Sequence, residues 1–437
     1  MEKMEKIAYG SLKPATYRPR IVDARLKRLL EIFGAVEVRG TKWCGKTWTS
    51  LAFGESVTRV DDSDVGPLVS ASPALALDGA RPHVVDEWQD VPAIWDAARR
   101  AVDDGSLKGA FILTGSSTPE KDKVSHSGAG RIARIDMSTT TLWERGESEG
   151  AVSLAGLFEG EFEPCRTRNA GLGDIAETIC RGGWPAIEGE GADVAAETVR
   201  QYLDAMFEVS VPRKGGSPRT ARRMARSLAR NVATSATIST LAADAAESEG
   251  APGAGASTVA RYLELFKDLY FIEDLTGWDA PIRSKSRLRT KPKRFFADPS
   301  IPVVLLGASP SRLLSDAQLF GLLFESLCVH DIRAYASLLP GWHRDSLHYY
   351  HDADGLEADI VIELEGGEWA AVEVKLGEDK VPAAIASLER LRAKVAANPA
   401  ARNPEPAFVA VVTACSSFAR RDKESGAYVF PVTALRP

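Results

Sequence analysis

One octapeptide, Gly40-Thr41-Lys42-Trp43-Cys44-Gly45-Lys46-Thr47, constrains the fold more than any other stretch of the chain. It fits the pattern G-x-x-x-x-G-K-[ST] at every fixed position. Ala35-Val36-Glu37-Val38-Arg39 before it reads as a short strand, and the residues through Leu51 read as a helix. A strand that breaks into a glycine-bearing loop and then a helix turns successive backbone N–H groups inward and adds the positive end of the helix, which suits phosphate oxygens. The expected nucleotide-binding residues are therefore the octapeptide and Trp48, with Lys46 on the β- and γ-phosphates and Thr47 on magnesium.

About forty residues after Lys46, His83-Val84-Val85 ends in two adjacent acids, Asp86 and Glu87. At the end of a buried strand such a pair suits nucleotide hydrolysis: Asp86 holds magnesium, and Glu87 orients and deprotonates the attacking water. Ala110-Phe111-Ile112-Leu113 then breaks into Thr114-Gly115-Ser116-Ser117, which puts Thr114 on a neighbouring strand as a γ-phosphate sensor or a strand cap. From the loop to Leu142 strands alternate with helices, implying a parallel sheet covered on both faces, with ligands at the carboxyl ends of its strands. Arg131 or Arg134 would supply a finger to a neighbouring subunit's γ-phosphate, which requires a homo-oligomer; a surface arginine is the alternative for each. The arm Tyr17-Arg18-Pro19-Arg20 lies over the base or simply packs.

At 437 residues the chain is long enough for two to four domains, and its 44% hydrophobic content is that of a globular protein. No run of eighteen apolar residues occurs and the first six residues are polar, so neither a membrane span nor a signal peptide is expected and the location is cytoplasmic. Five scattered cysteines form no C-x-x-C pair and suggest neither a disulfide framework nor a zinc site.

The net charge of −6 hides two basic elements. Arg219, Arg222, Arg223, Arg226 and Arg230 form one stripe on a helix, and no acid interrupts the stretch. Arg283, Lys285, Arg287, Arg289, Lys291 and Lys293 recur every second residue and would line one side of a strand. Three helices followed by strands suggest a winged helix, with both elements on a DNA or RNA backbone; a solvated surface is the alternative. The acidic stretch from Glu144 to Glu163 reads as a connector.

Nearer the carboxyl terminus, strands Glu357–Leu364 and Trp369–Leu376 flank the turn Glu365-Gly366-Gly367-Glu368. Asp359 lies on the first, and Glu373 and Lys375 share a face of the second. With Glu325 from a preceding helix they make either a magnesium site for phosphodiester hydrolysis, with Lys375 catalytic, or a salt-bridge cluster between strands.

Taken in order, these motifs, with Gly182-Gly183-Trp184-Pro185, Arg261-Tyr262-Leu263, Lys293-Arg294-Phe295-Phe296-Ala297-Asp298 and Phe324-Glu325, resemble prokaryotic AAA+ type ATPases with a C-terminal region of uncharacterised function. The resemblance implies an α/β chain: a P-loop NTPase sheet with a helical lid over residues 1–212, a winged helix over 213–305 and a PD-(D/E)xK nuclease-like domain over 306–437. It implies ATP or ADP with Mg2+ as cofactors. The function expected is ATP hydrolysis that controls action on nucleic acid, or a nucleotide-gated binding and signalling module with an inactive nuclease-like domain.

Overall fold

The computed structural model describes residues 7–119, 126–168, 170–247, 255–281, 284, 287 and 290–437. Arg283, Lys285 and Arg289 lie outside the described residues. The chain divides into two compact units, Met1–Thr140 with Phe266–Phe271, and Thr141–Leu265 with Ile272–Pro437.

The first unit is built on five parallel strands: β1 (Ala35–Arg39), β2 (Ser56–Arg59), β3 (His83–Asp86), β4 (Phe111–Gly115) and β5 (Ile132–Asp136), in the order β2-β3-β4-β1-β5. The central strands are near-continuous apolar runs because both faces are covered. Alternate residues feed two cores. Ala35, Val85, Phe111 and Leu113 pack with the Ile94, Trp95, Ala98 and Val102 side of helix Ala93–Gly105. Val36, Val38, Val84 and Ile112 pack with Leu26 of helix Val22–Ile32 and with Ala52 and Phe53 of helix Lys46–Phe53. All five strands run the same way, so the loop after β1 and the acids ending β3 share one edge of the sheet.

In the second unit β6 (Val152–Ser153) pairs in parallel with Leu435–Arg436. Its mixed sheet is built from β7 (Cys165–Arg166), β8 (Ile272–Gly277), β9 (Lys293–Phe296), β10 (Leu347–His351), β11 (Glu357–Glu363), β12 (Trp369–Lys375), β13 (Phe408–Thr413), β14 (Phe418–Arg421) and β15 (Tyr428–Pro431), in the order β7-β14-β15-β13-β12-β11-β10-β8-β9. The predicted hairpin is β11 and β12, antiparallel with Ile360 opposite Val372. Helix Val381–Ala396 covers one face with Val381, Ala384, Leu388, Leu391 and Val395, against Val361, Ala371, Val409 and Val411. Helix Ala317–Ala336 is largely buried and carries Glu325.

Two features differ from the sequence reading. Strands β8 and β9 do not form a free-standing wing; β8 pairs in parallel with β10 and so extends the carboxyl-terminal sheet. The acidic connector is structured, because Leu154 and Leu157 are buried and β7 pairs with β14. The expected boundaries near residues 213 and 306 both fall inside the second unit. There Trp184 is buried against Tyr202 and donates from Nε1 to Ser300 Oγ at 2.9 Å, which makes it a packing residue. Among the described residues no helix is long and apolar enough to cross a membrane.

Candidate nucleotide site and the carboxylate cluster

The loop after β1 has the backbone that its glycines allow. Gly45 is left-handed (φ 102°) and lets the chain turn from loop into helix Lys46–Phe53. A Cβ on Gly40 would stand 2.1 Å from the carbonyl oxygen of Met137, so only glycine fits there. The loop is also braced from the amino-terminal arm. Arg20 is buried and donates from Nη1 to the Cys44 carbonyl at 2.8 Å and from Nη2 to the Ser138 carbonyl at 2.9 Å. Tyr17 donates to Asp23 Oδ1 at 2.6 Å and stands 3.1 Å from Thr49 Oγ1. The arm's structural role is thus packing beneath the loop.

Lys46 is 5% exposed and donates to the Thr41 carbonyl at 2.7 Å. Thr47 Oγ1 donates to Asp86 Oδ1 at 3.0 Å, which joins the loop to the end of β3. Asp86 is 7% exposed. Burial pushes its carboxyl above the ordinary range and repulsion from Glu87 and Asp61 adds to this, against hydrogen bonds from Thr114 and Thr47. Among the described residues no lysine or arginine pairs with Asp86 or Glu87, and no carboxylate pairs with Lys46. Trp43 and Trp48 stand about half exposed, Lys42 is half-buried, and Thr41 and Cys44 are buried.

Glu87 has a left-handed backbone (φ 56°), uncommon for a residue with a side chain. Its Oε2 accepts from Ser116 Oγ at 2.8 Å and from Gln89 Nε2. Thr114 is fully buried; its Oγ1 donates to Asp86 Oδ1 at 2.5 Å and accepts from the Glu87 amide at 3.0 Å. It anchors the two acids, a role that the sequence had not suggested. Ser116 and Gln89 were likewise given no role; the only signal was their closeness in sequence to Thr114 and Glu87. Arg131 is elsewhere. It precedes β5 at the amino ends of the strands, opposite the loop edge, and pairs with Asp103 at 2.6 Å. Arg134 pairs with buried Glu37 at 3.0 Å and stacks over Trp95.

The residues predicted for the second site also converge. Lys375 Nζ donates to Asp359 Oδ2 at 3.2 Å and to Glu373 Oε2, and the Val374 amide donates to Asp359 Oδ2 at 2.8 Å. An additional cation joins them. Lys293, counted in the sequence among the basic residues of a wing, is 5% exposed, and its Nζ lies 2.9 Å from Glu325 Oε1, 2.7 Å from Glu357 Oε1 and 3.8 Å from Asp359 Oδ1. Burial pushes the Glu325 carboxyl up to about 8, with Asp359 adding to the rise and Lys293 opposing it. Burial likewise pushes Glu373 up. Burial alone would raise Asp359 too, but Lys375, Lys293 and the Val374 amide together hold it below the ordinary range. Among the described residues no three or more His, Cys, Asp and Glu side chains are arranged to hold a metal ion. The residues do not fit a magnesium site as they stand.

Among the described residues, the basic elements are mostly engaged within the protein. Arg222 pairs with Asp204 at 3.0 Å and Glu208 at 2.8 Å, Arg223 donates to the Ala245 carbonyl, and Arg230 lies 3.7 Å from Asp244. The acids absent from helix Pro218–Arg230 come from its neighbours, which is why the stripe looked unbalanced in sequence. Arg219 and Arg226 remain exposed. Arg287 forms a two-pronged pair with Glu363 at 2.6 and 2.8 Å.

Residues 33–145 match the family model of an AAA domain. The amino-terminal region is an AAA-type ATPase domain. Beyond the AAA domain, residues 172–312 match one domain of unknown function (DUF8612) and residues 320–435 another (DUF4143). An uncharacterized protein of Mycobacterium tuberculosis (strain ATCC 25618 / H37Rv) is 25% identical over 356 residues, which span 79% of this chain and 71% of that protein. An uncharacterized protein of Mycobacterium bovis aligns with the same identity and coverage. Among solved structures, a Walker-type ATPase of Pyrococcus abyssi overlaps 68% of this chain and 97% of its own, at 12% identity and a TM-score of 0.40. The RuvB Holliday junction branch migration motor of Thermotoga maritima overlaps 60% and 92%, at 18% identity and a TM-score of 0.27. Overlaps this loose decide nothing about function.

Proposed function

We propose that the AAA domain binds ATP with Mg2+ at Gly40–Thr47 and hydrolyses it. One observation carries this reading: a buried ammonium, Lys46, and a buried carboxylate, Asp86, lie on one edge of the sheet, and neither has an ionic partner among the described residues. Burying unpaired charges is costly, and a site that does so is arranged for a ligand that brings both signs. A triphosphate with its cation meets that description. Lys46 and the loop amides would hold the phosphate oxygens, and the hard oxygens of Thr47 and Asp86 fit magnesium, which supplies charge neutralisation on the phosphates when bound. Glu87 would accept the proton of the attacking water, held in place by Ser116 and by the Thr114 anchor at its amide. The test is equilibrium binding of ATP to the purified protein together with phosphate release. Wild-type protein binds and turns over ATP only with Mg2+, and Lys46→Ala loses both; wild-type protein that takes up no adenine nucleotide overturns the proposal.

For the output of this cycle, the structure favours a nucleotide-gated binding module over a DNA-cleaving enzyme, because the arginine stripe is largely paired and the acidic cluster already holds two ammoniums. Action on nucleic acid has in its favour the exposed Arg219 and Arg226. DNA that accelerates ATP hydrolysis, with affinity falling steeply as salt rises, would decide for the second reading.

A further inference from the structure

We propose that the ammonium of Lys293 is the resident cation of the carboxylate cluster formed by Glu325, Glu357, Asp359 and Glu373, and that the cluster consequently takes up no divalent metal ion. The nuclease-like fold implied by family resemblance calls for a magnesium ion between Asp359, Glu373 and Glu325. In this chain the space between Glu325 and Asp359 is bridged by Lys293 Nζ, at 2.9 Å from one and 3.8 Å from the other, with Glu357 at 2.7 Å. Lys375 holds the other side, between Asp359 Oδ2 and Glu373. Both oxygens of Asp359 are thereby committed, Oδ1 towards Lys293 and Oδ2 to Lys375 and the Val374 amide.

Lys293 cannot readily leave. Its backbone is paired in β9 opposite Leu275, and its ammonium lies 5.3 Å from the centre of the Tyr349 ring. A metal ion entering the cluster would have to displace a buried ammonium from its three carboxyl partners, Glu325, Glu357 and Asp359, and leave it without them, at a cost of several kcal/mol. The cluster therefore acts as an ionic clamp. It ties β9, β11, β12 and helix Ala317–Ala336 into one body, and the domain does no metal-dependent phosphodiester chemistry at this site. The inference is independent of the nucleotide site, whose failure would leave it standing.

The experiment uses the full chain, nucleotide-free, with Asp86→Asn to remove the other candidate cation ligand, and follows Mn2+ uptake by electron paramagnetic resonance. With Lys293 present, no Mn2+ is taken up at about 1 mM free cation, the weak end of carboxylate sites. Lys293→Met gains about one ion per chain, and Lys293→Met with Asp359→Asn loses it again. Mn2+ uptake by the Lys293-containing protein that Asp359→Asn abolishes would overturn the proposal. Should Lys293→Met fail to fold, that comparison still decides, since absence of Asp359-dependent uptake supports the clamp and its presence refutes it.

Discussion

Among the described residues Asp86 and Glu87, at the end of β3, meet no ammonium or guanidinium, whereas on β11 and β12 Asp359 and Glu373 meet two. Both regions place acids at or near the end of a buried strand, and both have lysines close by. The difference is where the balancing charge comes from. In the AAA domain Lys46 is spent on a backbone carbonyl and leaves Asp86 unpaired, so each charge is available to something from outside. In the carboxyl-terminal sheet the lysines close on the acids, and the charges are satisfied from within. A site held ready for a ligand tolerates imbalance; a site that holds a fold together does not.

The largest effect that would sharpen the contrast is catalytic. Glu87→Gln should bind ATP within a few-fold of wild type while hydrolysis falls about 10²- to 10⁴-fold, the usual weight of a general base. Single-turnover phosphate release measures it, and unchanged turnover would remove Glu87 from the chemistry. Next, Lys293→Met should destabilise the protein by about 3–5 kcal/mol in urea unfolding, because it removes the buried cation that lies between Glu325, Glu357 and Asp359. A loss below about 1 kcal/mol would mean the clamp adds no more than a surface pair.

Lys46→Met should do the opposite: nucleotide-free protein gains about 1 kcal/mol as a buried unpaired ammonium is removed, although ATP binding is lost. If the two lysine variants shift stability in the same direction, the contrast between the regions fails. The last effect is a pH dependence. Burial raises Glu325 to about 8 in the folded protein. The stability it contributes is full below the ordinary carboxyl range and is lost as pH rises through about 8. Glu325→Gln should flatten the fall in melting temperature over that window, and an identical slope in wild type and variant would show that Glu325 does not titrate there.

Much of the AAA domain was legible because its information is local. The octapeptide, the apolar runs of β1, β3 and β4, and the acids ending β3 each specify their own backbone, and one parallel sheet then brings them to one edge. Gly40 is legible from the motif alone, although what requires glycine there, the nearby Met137 carbonyl, is a tertiary contact. Lys293 was not legible. In the sequence it is one of six alternating basic residues and opens the motif Lys293–Asp298, but neither pattern names Glu325, Glu357 and Asp359 as its partners, and its neighbour Lys291 is exposed. The same holds for Arg222 and Arg230, whose partners Asp204, Glu208 and Asp244 belong to other helices. Thr114 was placed correctly on the strand beside β3, yet its work as an anchor depends on the direction in which its hydroxyl donates.

By itself the sequence determined a glycine-bearing loop between strand and helix, a parallel sheet to carry it and an acidic hairpin towards the carboxyl terminus, because glycine conformation and hydrophobic period act over a few residues. Tertiary structure alone decided which charges are balanced. Ion pairing joins residues dozens of positions apart, as Lys293 and Glu325 are, and only packing brings such partners within hydrogen-bonding distance.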